Sequence, residues 1–176
     1  MTIIAYKDGE MWADDIITAN GGLIVGRELK TVRRKKDGAL AGASGDSSAC
    51  GLFLKWAASG RGKPPEVFTG DNSTSGAIIV TRDGIIHDYS GPEPSYINAD
   101  CYAVGMGCEI ALGAMHHGAS AKEAVVIACQ AYGWPAVIHG VNHEGQWFEY
   151  DTRTLPEAIH HKRTATLPSS IDRRRT

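Results

Sequence analysis

The sequence predicts an α+β fold in which two mainly antiparallel sheets stack face to face between helices. Three observations predict it. Helical patterns come in blocks, one after the opening strands and two together later. They do not alternate with single strands, which argues against a parallel doubly wound sheet. Asp-Gly turns join successive apolar stretches and mark hairpins. Several strands, "TIIAY", "GAIIV" and "PAVIHGV", are apolar on nearly every residue, so both faces need cover. A four-layer α-β-β-α sandwich supplies that cover.

The elements follow in order. "TIIAY" and "EMWAD", joined by "KDG", make the first hairpin. A glycine-containing loop follows, then short strands in "GLIVGREL", "KTVRRK" and, after another Asp-Gly, "ALAGAS". In "SGDSSACGLFLKWAASG", Asp46 or Ser47 caps a helix. Ala49, Leu52, Phe53, Trp56 and Ala57 recur at helical spacing and Gly60 closes it. Residues 60–75 are polar, rich in Gly and Pro, and read as a loop. "GAIIVTRDGIIHDYS" is a second hairpin. A helix covers residues from about 105 to 117, with Ile110, Leu112, Ala114 and Met115 apolar and Gly118 at its end. Another starts at Ser120, where Glu123 completes a capping box; it carries Ala124, Val125, Ala128 and Cys129 and stops near Gly133 and Pro135. "AVIHGVNHEGQWFEY" is the third hairpin, and "LPEAIHH" is a short helical pattern. Residues 2–163 read as one domain and residues 164–176 as a polar, basic tail.

Composition excludes several functions. A chain of 176 residues suits one domain with a sizeable core. Hydrophobic residues make up 43% and charged residues 22%, an ordinary globular balance. The net charge of −2 gives no global field for nucleic acid, and "RRKK" has no interleaved aromatic platform. The apolar runs are too short to cross a membrane, and no charged leader precedes a hydrophobic segment. Cys50, Cys101, Cys108 and Cys129 show no C-x-x-C spacing and read as buried free thiols of a reducing, cytoplasmic compartment. The pairs His116–His117 and His160–His161 have no ligand partner at i, i+4, so neither a metal nor a cofactor is expected.

The N-terminal stretch "TIIAYKDGEMWADD" puts a hydroxyl at position two, directly before a strand, and ends in an Ala-Asp pair. Thr18 and the glycines after it form a small-residue loop. "LKTVRR" follows, then "ALAGASGDSSAC", "GAIIVTRDGII", "ADCYAVGMG" and "AYGWPAVIHGVNHEGQWFEY". In this order, these segments resemble the N-terminal-nucleophile hydrolases. Within them the chain is similar to the proteasome β-subunit and HslV peptidase family, from Thr2 to about Lys162. The resemblance implies the α-β-β-α hydrolase fold and peptide-bond hydrolysis by Thr2 in a homo-oligomeric ring. Peptides or unfolded proteins are the implied substrates, and an ATP-dependent unfoldase is left open as a partner.

The chemistry explains the position of Thr2. A threonine hydroxyl is a poor nucleophile unless a base takes its proton. Once Met1 is removed, the α-amine of Thr2 can do so directly or through a water; such amines titrate at roughly 7.7–8.0. A neighbouring ammonium favours the deprotonated amine and hydroxyl, and a carboxylate must hold that ammonium. By resemblance, Lys30 is the lysine and Asp14 the carboxylate. An ungapped count back from Val32 puts Thr31 at the lysine position instead, and a one-residue shift restores Lys30. Two plainer readings stand beside these: Asp14 as a turn residue next to Asp15, and Lys30 as an exposed member of a basic strand. The backbone N–H groups of Ser44 and Gly45, at the turn into the first helix, are the implied oxyanion donors. An ordinary tight turn and helix cap would use the same residues. Thr18, Ala19 and Gly42 are the implied substrate-binding residues.

Three positions depart from the family pattern. Met106 stands where a serine usually bonds the terminal amine, and a thioether cannot donate a hydrogen bond. Gln130 replaces a common aspartate, and Gly133 a further serine. Residues 60–75 also form a short loop where larger relatives carry a helix. These departures motivate a second reading: a catalytically inactive, ring-forming assembly protein.

Overall fold

The computed structural model describes residues 2–19, 22–65, 76–91 and 93–154. The chain begins with strands β1 (Ile4–Lys7) and β2 (Glu10–Asp14). Their turn holds Asp8 at φ 51° and Gly9 at φ 81°. Two left-handed residues in a row are what a tight hairpin needs to match strand twist, and Asp-Gly accepts that geometry. Then come β3 (Ile16–Ala19), β4 (Leu23–Arg27), β5 (Thr31–Arg33) and β6 (Leu40–Ser44). Helix α1 (Ser47–Ser59) precedes β7 (Gly76–Val80), β8 (Ile86–Asp88), β9 (Ser95–Ile97) and β10 (Cys101–Val104). Helices α2 (Cys108–His116) and α3 (Ala121–Ala131) lead to β11 (Val137–Asn142), β12 (Trp147–Asp151) and a 3-10 turn at Thr152–Thr154.

The strands form two five-stranded antiparallel sheets, β10-β1-β2-β11-β12 and β5-β6-β7-β8-β9, plus the hairpin β3-β4. Side-chain alternation along β1 sorts the layers. Ile3 and Ala5 pack with Ala111 and Met115 of α2 and with Ala124, Val125 and Ala128 of α3. Ile4 and Tyr6 face the other way, onto Leu40, Ile78, Val80 and Ile86 of the second sheet. The far face of that sheet, through Ala41, Ala43, Ala77 and Ile79, packs on Phe53, Leu54 and Ala57 of α1. The fold is therefore mixed, with antiparallel sheets and three helices among the described residues. The all-apolar strands are covered on both faces, as β7 shows by being buried at every position.

Helix ends follow local chemistry. Asp46 caps α1, its Oδ1 accepting from the backbone N–H of Ser48 and Ala49 at 2.9 and 3.0 Å, and Gly60 ends the helix in the left-handed region. Ser120 and Glu123 form a reciprocal capping box on α3. Ser120→Ala should therefore cost about 1 kcal/mol, read as a fall of roughly 2–4 °C in melting temperature.

The structure adds three strands to the sequence reading. β3 includes Thr18 and Ala19, read above as loop, and β9 and β10 are short pieces before α2. Pairing alone makes them strands: β10 docks on the edge of β1 in the register Ile4 to Val104. Helix α2 starts at Cys108 rather than near 105, because Gly105 adopts φ 95°. Residues 66–75 of the loop, the "LPEAIHH" pattern and the basic tail lie outside the described residues. Among the described residues no helix is long and apolar enough to cross a membrane.

Candidate active site

The site forms where β2 leaves its sheet. Asp14 ends β2, and the chain crosses to the second sheet through the β3-β4 hairpin before reaching Lys30. Asp15 secures that crossing. Its carboxylate takes both contacts from Arg27 Nη1 at 2.7 and 2.8 Å and one from the Val137 N–H at 3.1 Å. Arg27 also donates to the Pro135 carbonyl at 3.0 Å, and the Glu28 N–H bonds the Asp15 carbonyl at 2.8 Å. Asp15 and Arg27, 12 positions apart, thus pin the base of the hairpin.

With the hairpin pinned, Lys30 reaches inward. Its Nζ lies 2.8 Å from Asp14 Oδ1 and donates to the Ile16 carbonyl at 2.6 Å. Both side chains are buried, 3% exposed for Lys30 and fully enclosed for Asp14. The remaining carboxylate capacity is filled by backbone: Oδ2 accepts from the Ile3 N–H at 2.6 Å and Oδ1 from the Ile16 N–H at 2.9 Å. The Asp14 N–H in turn donates to the Ile3 carbonyl at 3.2 Å. Lys30 is therefore not an exposed member of a basic strand, and Asp14 is not a free turn residue. Thr31 follows Lys30 at the start of β5, opposite Gly42, and its buried hydroxyl has no hydrogen-bond partner among the described residues.

Thr2 is buried and adjoins this pair through the chain, because Ile3 is the residue bonded to Asp14. Gly105 closes over it. A methyl on Gly105 would stand 2.3 Å from the Thr2 carbonyl oxygen and 3.0 Å from Ser44 Oγ, and its φ of 95° is left-handed. Only glycine meets both conditions. The Gly107 N–H donates to the Thr2 carbonyl at 3.4 Å. The Thr2 carbonyl and the Ser44 hydroxyl thus both border Gly105, and Asp14 holds the next residue, Ile3. Ser44 is buried at the end of β6, and Gly45 turns at φ 130° into the Asp46 cap.

The implied substrate-binding residues separate. Thr18 and Ala19 sit half-buried on β3, opposite Ile24 and Leu23. Gly42 is buried between the sheets, where a methyl would approach Ile4 Cγ2 to 2.9 Å and Met11 Sδ to 3.1 Å. Its missing side chain serves sheet packing. Met106 is exposed beside Thr2, and Gln130 is exposed on α3.

Lys30 also carries its field into both outer layers. Burial pushes the Cys129 thiol on α3 up to about 12; the Asp14 carboxylate adds to this and Lys30 opposes it. Burial likewise pushes Cys50 on α1 to about 11, with Glu28 adding and Lys30 opposing. Sequence reading did not bring these thiols, or Asp15–Arg27, to the site, since their shared neighbour is set by folding. A pH effect follows. The folded thiols hold protons that unfolded thiols begin to release at their ordinary value of 9.0. Their contribution is complete below pH 9 and declines as pH rises toward 11–12. Denaturant midpoints should fall between pH 8.5 and about 10.5, with a shallower fall in Cys129→Ala.

Chemically, a buried ammonium close to a hydroxyl would favour loss of the hydroxyl proton; the Thr2 backbone lies one residue from Ile3, the partner of Asp14. Among the described residues no group of three or more His, Cys, Asp or Glu is placed to hold a metal ion. No protein-family model matches the chain, and no curated protein matches it significantly.

Proposed function

We propose that the chain is a threonine-type endopeptidase of the N-terminal-nucleophile class, with the proteasome-like α-β-β-α sandwich of that class. After removal of Met1, Thr2 Oγ1 attacks the scissile carbonyl. The Thr2 amine takes the hydroxyl proton and passes it to the leaving amine, and water then releases the acyl group from Thr2. Lys30, held by Asp14, supplies positive charge beside the nucleophile. The turn at Ser44 and Gly45 faces the oxyanion as a backbone donor. Homo-oligomeric rings taking unfolded polypeptide, with or without an ATP-driven unfoldase, are part of the same reading.

One observation carries it: the buried Asp14–Lys30 pair, in which Asp14 accepts from the N–H of Ile3, the residue after Thr2. Desolvating two charges costs several kcal/mol per ion, and apolar residues of similar volume often serve a core as well. An ion pair kept at the head of β1 is therefore better explained by the chemistry of Thr2 than by packing. The test is intact-mass analysis before and after incubation with a peptide epoxyketone or β-lactone. The expected result is a chain lacking Met1 that gains one inhibitor mass on Thr2. A chain retaining Met1, or one left unmodified, defeats the reading.

A second reading rests on Met106 and Gln130, both exposed at positions where polar partners of the amine are implied. It makes the chain a silent assembly subunit. Ring formation without adduct, identical in Thr2→Ala, would support it.

A further inference from the structure

Tyr132 lies outside the implied catalytic set, yet its hydroxyl reaches the loop that closes over Thr2. Its phenol donates to the Met106 carbonyl at 3.1 Å. That carbonyl belongs to the same peptide group as the Gly107 N–H, which donates to the Thr2 carbonyl. The Thr2 carbonyl in turn shares a peptide with the Ile3 N–H, which donates to Asp14 Oδ2. Peptide groups are planar, so a bond to one end fixes the direction of the other. The chain of contacts runs from a surface phenol, through two rigid peptides, to the Asp14–Lys30 pair. Hydrogen bonds in such a series polarise one another.

The anchor of the phenol is firm. Tyr132 follows α3 directly, and its ring stacks on Trp134 at 4.6 Å between centroids and 18° between planes. Trp134 is buried in the core with residues of α2 and α3, and its backbone N–H donates to the Cys129 carbonyl at 2.9 Å. The loop has one turn bond of its own, from the Cys108 N–H to the Gly105 carbonyl at 3.1 Å. Gly105 and Gly107 flank Met106, and Gly107 caps α2 without a side-chain hydrogen bond. That turn bond does not engage the Met106 carbonyl, which the Tyr132 phenol holds from outside the loop.

We infer that Tyr132 is a positioning residue for Thr2: its phenol fixes the Met106–Gly107 peptide, and that peptide holds the Thr2 carbonyl so that the nucleophile stays aligned with Lys30. The inference rests on the catalytic reading for its effect on rate, but not for its effect on the loop. It also gives this loop a function that does not need the side chain of Met106.

The test is Tyr132→Phe, which removes one oxygen and keeps the stack on Trp134. Two measurements are made on the full chain. In hydrogen exchange, the Gly107 amide should exchange about three- to tenfold faster, the range for loss of one modest hydrogen bond. Amides in β7 and α1 should not change. In peptide hydrolysis, kcat should fall by a similar factor while KM moves less than about twofold, because alignment is lost and substrate contacts are not. Unchanged Gly107 exchange overturns the inference, whether or not the chain is a peptidase. Faster exchange with unchanged kcat overturns the catalytic part and leaves a purely structural clamp. Absence of hydrolysis by the wild-type chain counts against the proposed function, and the exchange result still decides the clamp.

Discussion

Thr2→Ala should lose peptide hydrolysis by roughly 10⁴- to 10⁶-fold, the scale on which removal of a nucleophile acts in covalent hydrolases. It should also lose all labelling by epoxyketone or β-lactone. The substitution removes the hydroxyl and keeps the chain start, so the amine, Asp14 and Lys30 remain. Thr2 is buried, but its backbone carries the contacts that matter to the fold: its carbonyl accepts from Gly107, and the next N–H reaches Asp14. Stability should therefore change by only about 1 kcal/mol. Activity and stability separate sharply in this variant. A Thr2→Ala chain that still cleaves peptides would move the chemistry elsewhere in the molecule.

Lys30→Met is expected to do the opposite and damage both. The thioether side chain fills much of the lysine volume but leaves the Asp14 carboxylate buried without its counter-charge, held by the Ile3 and Ile16 N–H groups. Removing one member of a buried pair costs about 3–5 kcal/mol. The distinguishing result comes from the double variant Lys30→Met/Asp14→Asn. A neutral amide no longer needs a counter-charge, and its one carbonyl oxygen can still accept from one of the two backbone donors. The double variant should recover part of the lost stability, seen as a higher denaturant midpoint than Lys30→Met alone. It should recover none of the reactivity towards the electrophile. Non-additivity of this sign is what directly contacting residues show in a double-mutant cycle. Recovery of adduct formation together with stability would mean that Lys30 supports only the fold.

Predictions of the two kinds depend on different levels of organisation. Hairpins at Asp8–Gly9 and Asp83–Gly84, the Asp46 and Ser120 caps and the Gly60 stop were all legible, because each depends on residues a few positions apart. The double coverage of β1 and β7 was legible from their unbroken apolar character. Strands β9 and β10 were not, since "SYI" and "CYAV" are too short to carry a period and become strands by pairing, β9 with the preceding β8 and β10 with the distant β1.

For the site, resemblance named Asp14 and Lys30, but the residues alone left Lys30 open between a buried pair and an exposed basic strand. Composition around "LKTVRRKK" favours neither. What decides it is the Asp15–Arg27 lock, which returns β4 to the end of β2 and turns Lys30 inward. The approach of Gly105 to Thr2 and the reach of Tyr132 to Met106 belong to the same level. By itself the sequence determined the local turns, the caps and which strands must be covered on both faces, since these follow from propensities and periodicity within a short window. Only the tertiary structure decided which polar groups share one buried point. Contacts such as Ile3 with Asp14, or Tyr132 with Met106, join segments 11 and 26 residues apart, and no local preference encodes them.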